Sequence, residues 1–323
     1  MDIPGYVLQE GALRFEAAGR GLQFLGGTDG LVYEYEASGR MYVIKYEITS
    51  EERIPAIHEK FAFLNYLAQN GVAIARPQLS SKGNLVEIVP YEDHYYTVTS
   101  SLKAPGQHVD ARDPLLWTAE FIRRWGSLLG QMHQLASSYP AWRIPPKRSK
   151  EPKTVVQDWR AEVEYMTNWC QDPVGKQVWL RLKTELEVLP QTRQCYGLIH
   201  NDLHPWNMLY DGHTLTVIDF DVLSYHWFMT DVAISIFHGL WQQRHEQAPN
   251  QKEFLDCFLS GYFSRSPLDQ NWLKHLSLFL RYRQTLLYTV FPNVWGEERE
   301  PWQDWTISDL QRRVHEDRPI IEL

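Results

Sequence analysis

Apolar and polar positions alternate in short runs through the first hundred residues, then adopt helical spacing for most of the remainder. Residues 22–25, 31–36 and 41–46 read as strands, separated by the turns Gly26-Gly27-Thr28-Asp29-Gly30 and Ser38-Gly39-Arg40. Ile57, Phe61, Leu64 and Leu67 recur on one helix face, and Gly71 is placed to end that helix. Further β-prone runs cover 75–79, 85–89 and 95–102. Beyond Pro105-Gly106 the period changes. Asp113-Pro114 predicts a helix start, with Asp as cap and Pro in the first turn, and Phe121, Trp125, Leu128, Leu129, Met132 and Leu135 line one face. His133 on this helix is expected to be a hydrogen-bonded core histidine. Residues 140–153, rich in Pro, Lys and Arg, predict an exposed connection. Two helices split near Asp172-Pro173 are expected over 154–189, and two more over 252–263 and 268–291.

Between these helices the chain reads His200-Asn201-Asp202-Leu203-His204-Pro205-Trp206-Asn207. The β-prone runs 208–210 and 215–218, joined through Asp211-Gly212, predict a hairpin, and Asp219-Phe220-Asp221 lies beyond its exit. A hairpin brings its ends together, so Asn207 and Asp219 are expected close in space. Two hard oxygen ligands there suit Mg²⁺, which takes few protein ligands and keeps waters and phosphates. This order of groups is what phosphoryl transfer from a nucleotide needs: a base near the accepting hydroxyl, and an amide and a carboxylate to hold the ion. A rival reading takes His200, Asp202 and His204 as zinc ligands. It gives Asn207 no role, and no other His-rich motif completes it. A polar loop with structural caps is the plainest alternative.

The segment resembles the catalytic loop and metal-binding turn of the aminoglycoside phosphotransferase and choline kinase family, which shares the protein-kinase-like fold. The family pattern of a His, any residue, an Asp, four residues and an Asn, then a hairpin and an Asp, is met at His200, Asp202, Asn207 and Asp219. The resemblance implies Asp202 as catalytic base, Asn207 and Asp219 as Mg²⁺ ligands, and His200 as a brace of the loop. It implies an α+β bilobal fold. Residues 1–102 would form a nucleotide lobe of antiparallel sheet plus one helix, ending in a hinge, and 103–323 a larger, mainly helical lobe with the acceptor site. Gly27, Thr28 and Gly30 stand where a glycine-rich turn approaches phosphate, although the spacing departs from G-x-G-x-x-G. Lys45, at the end of an apolar strand, resembles the lysine that contacts the α- and β-phosphates. Glu59 is the candidate to pair with it, with Glu51 and Glu52 as rivals. Backbone around Thr99, Ser100 and Leu102 is expected to meet the adenine of ATP, with GTP left open. Asp231 is expected to bond the backbone of the catalytic loop and open a helix. Trp159, Glu162, Tyr165, Trp169 and Asp172, in a helical insertion, are candidates for acceptor contact, with core packing and solvation as the competing explanation. Trp295, Trp302 and Trp305 in the tail either cover the acceptor cleft or pack the tail down.

Composition narrows the partners. The 323 residues suffice for two lobes with sizeable cores. A net charge of −8 disfavours nucleic acid and fits a cationic acceptor, as do 13 tryptophans whose faces attract ammonium groups. No apolar run has the length of a membrane span, and the start of the chain lacks the features of a signal peptide. Cys170, Cys195 and Cys257 have no metal-like spacing, so a reduced, cytosolic setting is expected. Three functions stay open: a small-molecule kinase acting on an aminoglycoside-like sugar, an amino alcohol or homoserine; a protein Ser/Thr kinase of the same fold; and a silent nucleotide-binding module. Intact Asp202, Asn207 and Asp219 count against the third.

Overall fold

The computed structural model describes residues 3–19, 21–27, 30–143, 158–242 and 249–321. Thr28 lies outside them, as does most of the connection expected over 140–153. In chain order the described elements begin with α1 (Gly5–Arg14), β1 (Gln23–Gly26), β2 (Leu31–Ala37), β3 (Arg40–Thr49), α2 (Ile54–Gln69), β4 (Glu87–Tyr91), β5 (His94–Leu102) and β6 (Gln107–His108). They continue with α3 (Ala119–Ser138), α4 (Trp159–Trp169), α5 (Pro173–Glu187), β7 (Tyr196–Ile199), β8 (Met208–Tyr210), β9 (Leu215–Val217) and β10 (Ser224–Trp227). The last four are α6 (Phe228–Gln242), α7 (Gln251–Phe263), α8 (Leu276–Trp295) and α9 (Pro301–His315). No described helix is long and apolar enough to cross a membrane.

These elements form two compact units. The first comprises the described residues of Met1–His108 and of Met208–Asp219. Its antiparallel sheet has the order β1-β2-β3-β5-β4. Val7, Ala12 and Phe15 of α1 and the residue after it pack with Tyr35, Ile44, Tyr46, Val89 and Val98 of the sheet. Burying a Val, Ile or Phe side chain there contributes about 1.5–3 kcal/mol. Arg14 ties α1 down by donating to Glu87 Oε2 at 3.0 Å and to the Ile88 carbonyl at 2.8 Å. A second sheet, β6-β8-β9, contains the expected hairpin. Asp211 Oδ1 closes its turn, accepting from the amides of His213 and Thr214 at 2.8 and 2.7 Å. The 75–79 run makes only isolated bridges, Ile74 to Val217 and Pro77 to Ser101. Pro77 has no N–H with which to extend a ladder.

The second unit holds the described residues of Val109–Ser149, Gln157–Asn207 and Phe220–Leu323. Here α3 and α7 approach so closely that a Cβ on Gly126 would lie 2.1 Å from the Phe258 carbonyl oxygen. The helix expected at Asp113 starts later. Asp113 caps a turn instead, its Oδ1 accepting from the Leu115 amide at 2.8 Å, while Thr118 caps α3 by accepting from the Phe121 amide at 3.2 Å. Asp158 and Asp172 cap α4 and α5, and Pro173 takes the first turn of α5. Two elements here lie outside the sequence expectation: β10, antiparallel to β7, and α9 in the tail.

Candidate active site

The expected catalytic loop leaves β7, and the pairing of Ser224 with Ile199 sets where it starts. Its first two amides point at one buried carboxylate. His200 N donates to Asp231 Oδ2 at 2.9 Å, and Asn201 N donates to Oδ1 at 2.7 Å. Asp231 opens α6 with no solvent exposure, and His133 Nε2 lies 3.2 Å from its Oδ2. The other ring nitrogen of His133 lies 2.8 Å from the Tyr262 hydroxyl. Burial outweighs the attraction of Asp231 and holds the His133 imidazole below its usual pKa. A neutral ring can then donate from Nε2 and accept at Nδ1, as a core histidine in a hydrogen-bonded network does.

Asn201 has φ +65°, in the left-handed region. The side chains around it compensate. Asn201 Nδ2 donates to Glu162 Oε2 at 2.6 Å, and Tyr282 of α8 donates its hydroxyl to Oε1 at 2.5 Å. Burial pushes the Glu162 carboxyl up, against the pull of those two hydrogen bonds. Glu162 therefore braces the loop from α4. Trp159 is fully buried, Tyr165 is exposed and lies against Trp169, and Asp172 caps α5 while bonding Tyr288 and His315.

One residue on, Asp202 sits in a ring of donors. Asn207 Nδ2 donates to its carbonyl at 2.9 Å and lies 3.3 Å from its Oδ2. His204 Nε2 lies 3.3 Å from the same oxygen. On the other side, Arg283 of α8 donates Nη2 to Oδ1 at 2.5 Å. Burial opposes ionisation of Asp202, but Arg283, then His204 and His238, hold its carboxyl well below the usual carboxylate range. The side chain remains 29% exposed, so it is ionised and reachable. His200 is buried against Phe220 and accepts the Asp202 amide at Nδ1, 3.3 Å away. With Nδ1 accepting, a neutral ring carries its proton on Nε2, and neither nitrogen offers zinc a free lone pair. Among the described residues no three His, Cys, Asp or Glu side chains gather as a metal-ligand set.

The donor set does fit a cation of the Mg²⁺ kind. By giving Nδ2 to Asp202, Asn207 turns its Oδ1 the other way, a hard oxygen of the type Mg²⁺ takes. Asn207 directly precedes β8, and Asp219 follows β9, exposed and held at φ +61°.

In the first unit, Lys45 lies on β3 with Nζ 3.7 Å from Glu47 Oε2, and Glu59 lies partly buried on α2. Gly30 packs onto the same strand. A Cβ on Gly30 would lie 2.5 Å from the Tyr46 carbonyl oxygen and 3.3 Å from Lys45 Cε. Gly27 has φ +137°, and a Cβ there would strike the Gly30 carbonyl. Gly30 therefore packs against β3 beside Lys45. Thr99, Ser100 and Leu102 lie on β5, where Thr99 pairs with Lys45. The Ser100 carbonyl accepts from Gln78 N and the Leu102 amide donates to the Arg76 carbonyl, both at 2.8 Å. Those two groups are occupied by the 75–79 segment.

Sequence reasoning reached Asp202, Asn207 and His200 through the motif spacing and Asp231 through the family resemblance, but not Arg283, His238 or the bracing role of Glu162. No local pattern marks an arginine on an amphipathic helix as the partner of a residue eighty positions earlier.

A family model described as the phosphotransferase enzyme family matches residues 20–269. The amicoumacin kinase of Bacillus subtilis (strain 168) is 29% identical over 326 residues, covering 97% of this chain and 93% of that protein. Among solved structures, the amicoumacin kinase hAmiN in complex with AMP-PNP, Ca²⁺ and Ami has a TM-score of 0.84 at 26% identity, covering 98% of this chain and 95% of that one. A microcompartment-associated aminopropanol kinase has a TM-score of 0.68 at 18% identity, covering 97% and 98%. The fold is protein-kinase-like.

Proposed function

Because the chain belongs to the phosphotransferase enzyme family, and is thus a kinase with a hydroxyl acceptor, we propose that it moves the γ-phosphoryl group of ATP to a hydroxyl of a small molecule, with amicoumacin the first acceptor to test. The carrying observation is the Asp202 carboxylate, ionised, pinned by Arg283, His204 and Asn207, and still partly exposed on a loop locked by Asp231. In the proposed reaction the acceptor oxygen forms the new bond to phosphorus. The β–γ bridging oxygen leaves with ADP, and the hydroxyl proton passes to Asp202. A carboxylate held well below its usual range is a weak base. That suits a loose transition state in which the proton leaves late and orientation supplies most of the catalysis.

A nucleotide analogue and Ca²⁺ accompany the related amicoumacin kinase, and we assign Mg²⁺ as the working ion here. Asn207 and Asp219 would hold it, and when bound it offsets phosphate charge. Lys45, oriented by Glu59, would meet the phosphates beneath the Gly27, Thr28 and Gly30 turn. The base would meet the Leu102 carbonyl and the backbone beyond Lys103, since the amides of Leu102 and Lys103 are already paired.

The test is phosphate transfer from labelled ATP with Mg²⁺. Acceptors are amicoumacin, spectinomycin, choline, ethanolamine, homoserine, a generic protein and the chain itself, with Asp202→Ala as control. Labelling of a small molecule, lost in the control, supports the reading. Labelling of protein alone redirects it to a protein kinase, and failure to bind Mg·ATP overturns it.

A further inference from the structure

The arginine on Asp202 is itself held. Arg283 is 6% exposed, and its Nε and Nη2 approach His238 Nε2 at 3.1 and 2.8 Å, edge-on. His238 must accept there, so its proton sits on Nδ1 and the ring is neutral. The guanidinium thus has a fixed plane, and the Nη2 that reaches Asp202 has a fixed direction. An ionised carboxylate offers about four acceptor positions. Arg283 occupies one on Oδ1, while Asn207 and His204 face Oδ2. One direction remains open to an incoming hydroxyl. The neighbouring Tyr282 holds Asn201 through Glu162, so adjacent residues of α8 secure adjacent residues of the loop.

We propose that Arg283 is a positioning residue for phosphoryl transfer, oriented by His238 and fixing the Asp202 carboxylate so that the acceptor hydroxyl has one way to approach. The proposal rests on the reading of Asp202 as the group that meets the acceptor. Lysine keeps the charge but cannot be held edge-on by His238, so Arg283→Lys separates charge from orientation.

Arg283→Ala and Arg283→Lys are compared with the parent and with Asp202→Ala, using Mg·ATP and amicoumacin. If amicoumacin is not an acceptor, the slow hydrolysis of Mg·ATP serves, with water in the place of the hydroxyl. Folding is checked by melting temperature, and nucleotide binding by the Mg·ATP-induced thermal shift. The expected result is a loss in kcat of about 100-fold in Arg283→Ala, the scale of a misplaced reacting group, with KM for ATP unchanged. Arg283→Lys should fall between, and added guanidinium at millimolar level should return part of the Arg283→Ala activity. A merely structural arginine would lower the folded fraction and leave kcat per folded molecule unchanged, with no rescue. Parental kcat in folded Arg283→Lys, while Asp202→Ala is inactive, overturns this inference alone. Parental kcat in Asp202→Ala overturns the reading beneath it as well.

Discussion

Replacing Asp231 should cost more stability than any single surface change, because three donors converge on one carboxylate that has no solvent exposure. Asp231→Ala leaves the amides of His200 and Asn201 and the His133 ring without an acceptor. Each buried unsatisfied donor costs about 1–3 kcal/mol, so the sum over three is roughly 3–9 kcal/mol, a large share of the ~5–15 kcal/mol of a typical domain. Asp231→Asn is the sharper experiment. It preserves shape, keeps one oxygen for one amide and turns an NH₂ towards another donor, for a loss of about 2–4 kcal/mol. The protein provides a convenient probe, since all 13 tryptophans belong to the second unit. Urea unfolding followed by tryptophan emission therefore reports on the unit containing Asp231 and not on the sheet unit. The expected outcome is a lower midpoint with an unchanged m-value, and a kcat reduced beyond the folded fraction because Asn201 loses its anchor. An Asp231→Asn protein with the parental midpoint and kcat would refute the argument that this carboxylate sets the loop.

Other outcomes follow from close contacts and from linkage. Gly126→Ala should destabilise the second unit by about 1–3 kcal/mol, the usual cost of overpacking, because its Cβ would meet the Phe258 carbonyl oxygen at 2.1 Å; tryptophan-detected urea curves check it. Glu87 accepts from Ser80 at 2.6 Å, Asn84 at 2.9 Å and Arg14 at 3.0 Å, and together these outweigh burial and lower its pKa. A carboxyl depressed on folding contributes stability above its unfolded pKa, and that contribution is lost as pH falls through the folded value. Stability of the sheet unit, followed by circular dichroism, should therefore decline on acidification below about pH 4.5, near the ordinary Glu value, and less steeply in Glu87→Gln. Chelation should abolish phosphate transfer and Mg²⁺ restore it. Asn207→Ala should need more Mg²⁺ for half-maximal rate, and an unchanged Mg²⁺ requirement would remove Asn207 from the ligand set.

The sheet strands and the hairpin were legible because their signals are local. Alternation of apolar residues, Asp211-Gly212 and the spacing from His200 to Asn207 each depend on neighbours in sequence. The departures have equally local causes. Asp113-Pro114 carries the signature of a helix cap, but its carboxylate serves a turn, and Thr118 wins the helix start. Pro77 spoils the 75–79 run as a ladder strand. β10 consists of Ser224-Tyr225-His226-Trp227, too short to announce itself, and is fixed only by pairing with β7. α9 presents Trp302 and Trp305 at its surface among charges, so its apolar face is narrow and its period faint.

What sequence spacing cannot carry is the arrangement that gives the loop its rigidity. Motif residues arrive with their roles because the chemistry requires them at fixed separation. Their supports need only reach the same point in space, and they come from α3, α4, α6 and α8. Such supports are free to change residue type and position as long as each loop donor finds an acceptor and the Asp202 carboxylate keeps one open direction. The acceptor oxygen must approach phosphorus in line, and a loop residue at positive φ has no intrinsic preference for the required geometry. In the proposed reaction Asp231 and Arg283, both buried, and the partly buried Glu162 would supply it. Substitutions at these three positions should therefore change kcat more than substrate affinity, although the sequence pointed to Asp231 as a support, to Glu162 only as an acceptor contact and to Arg283 not at all.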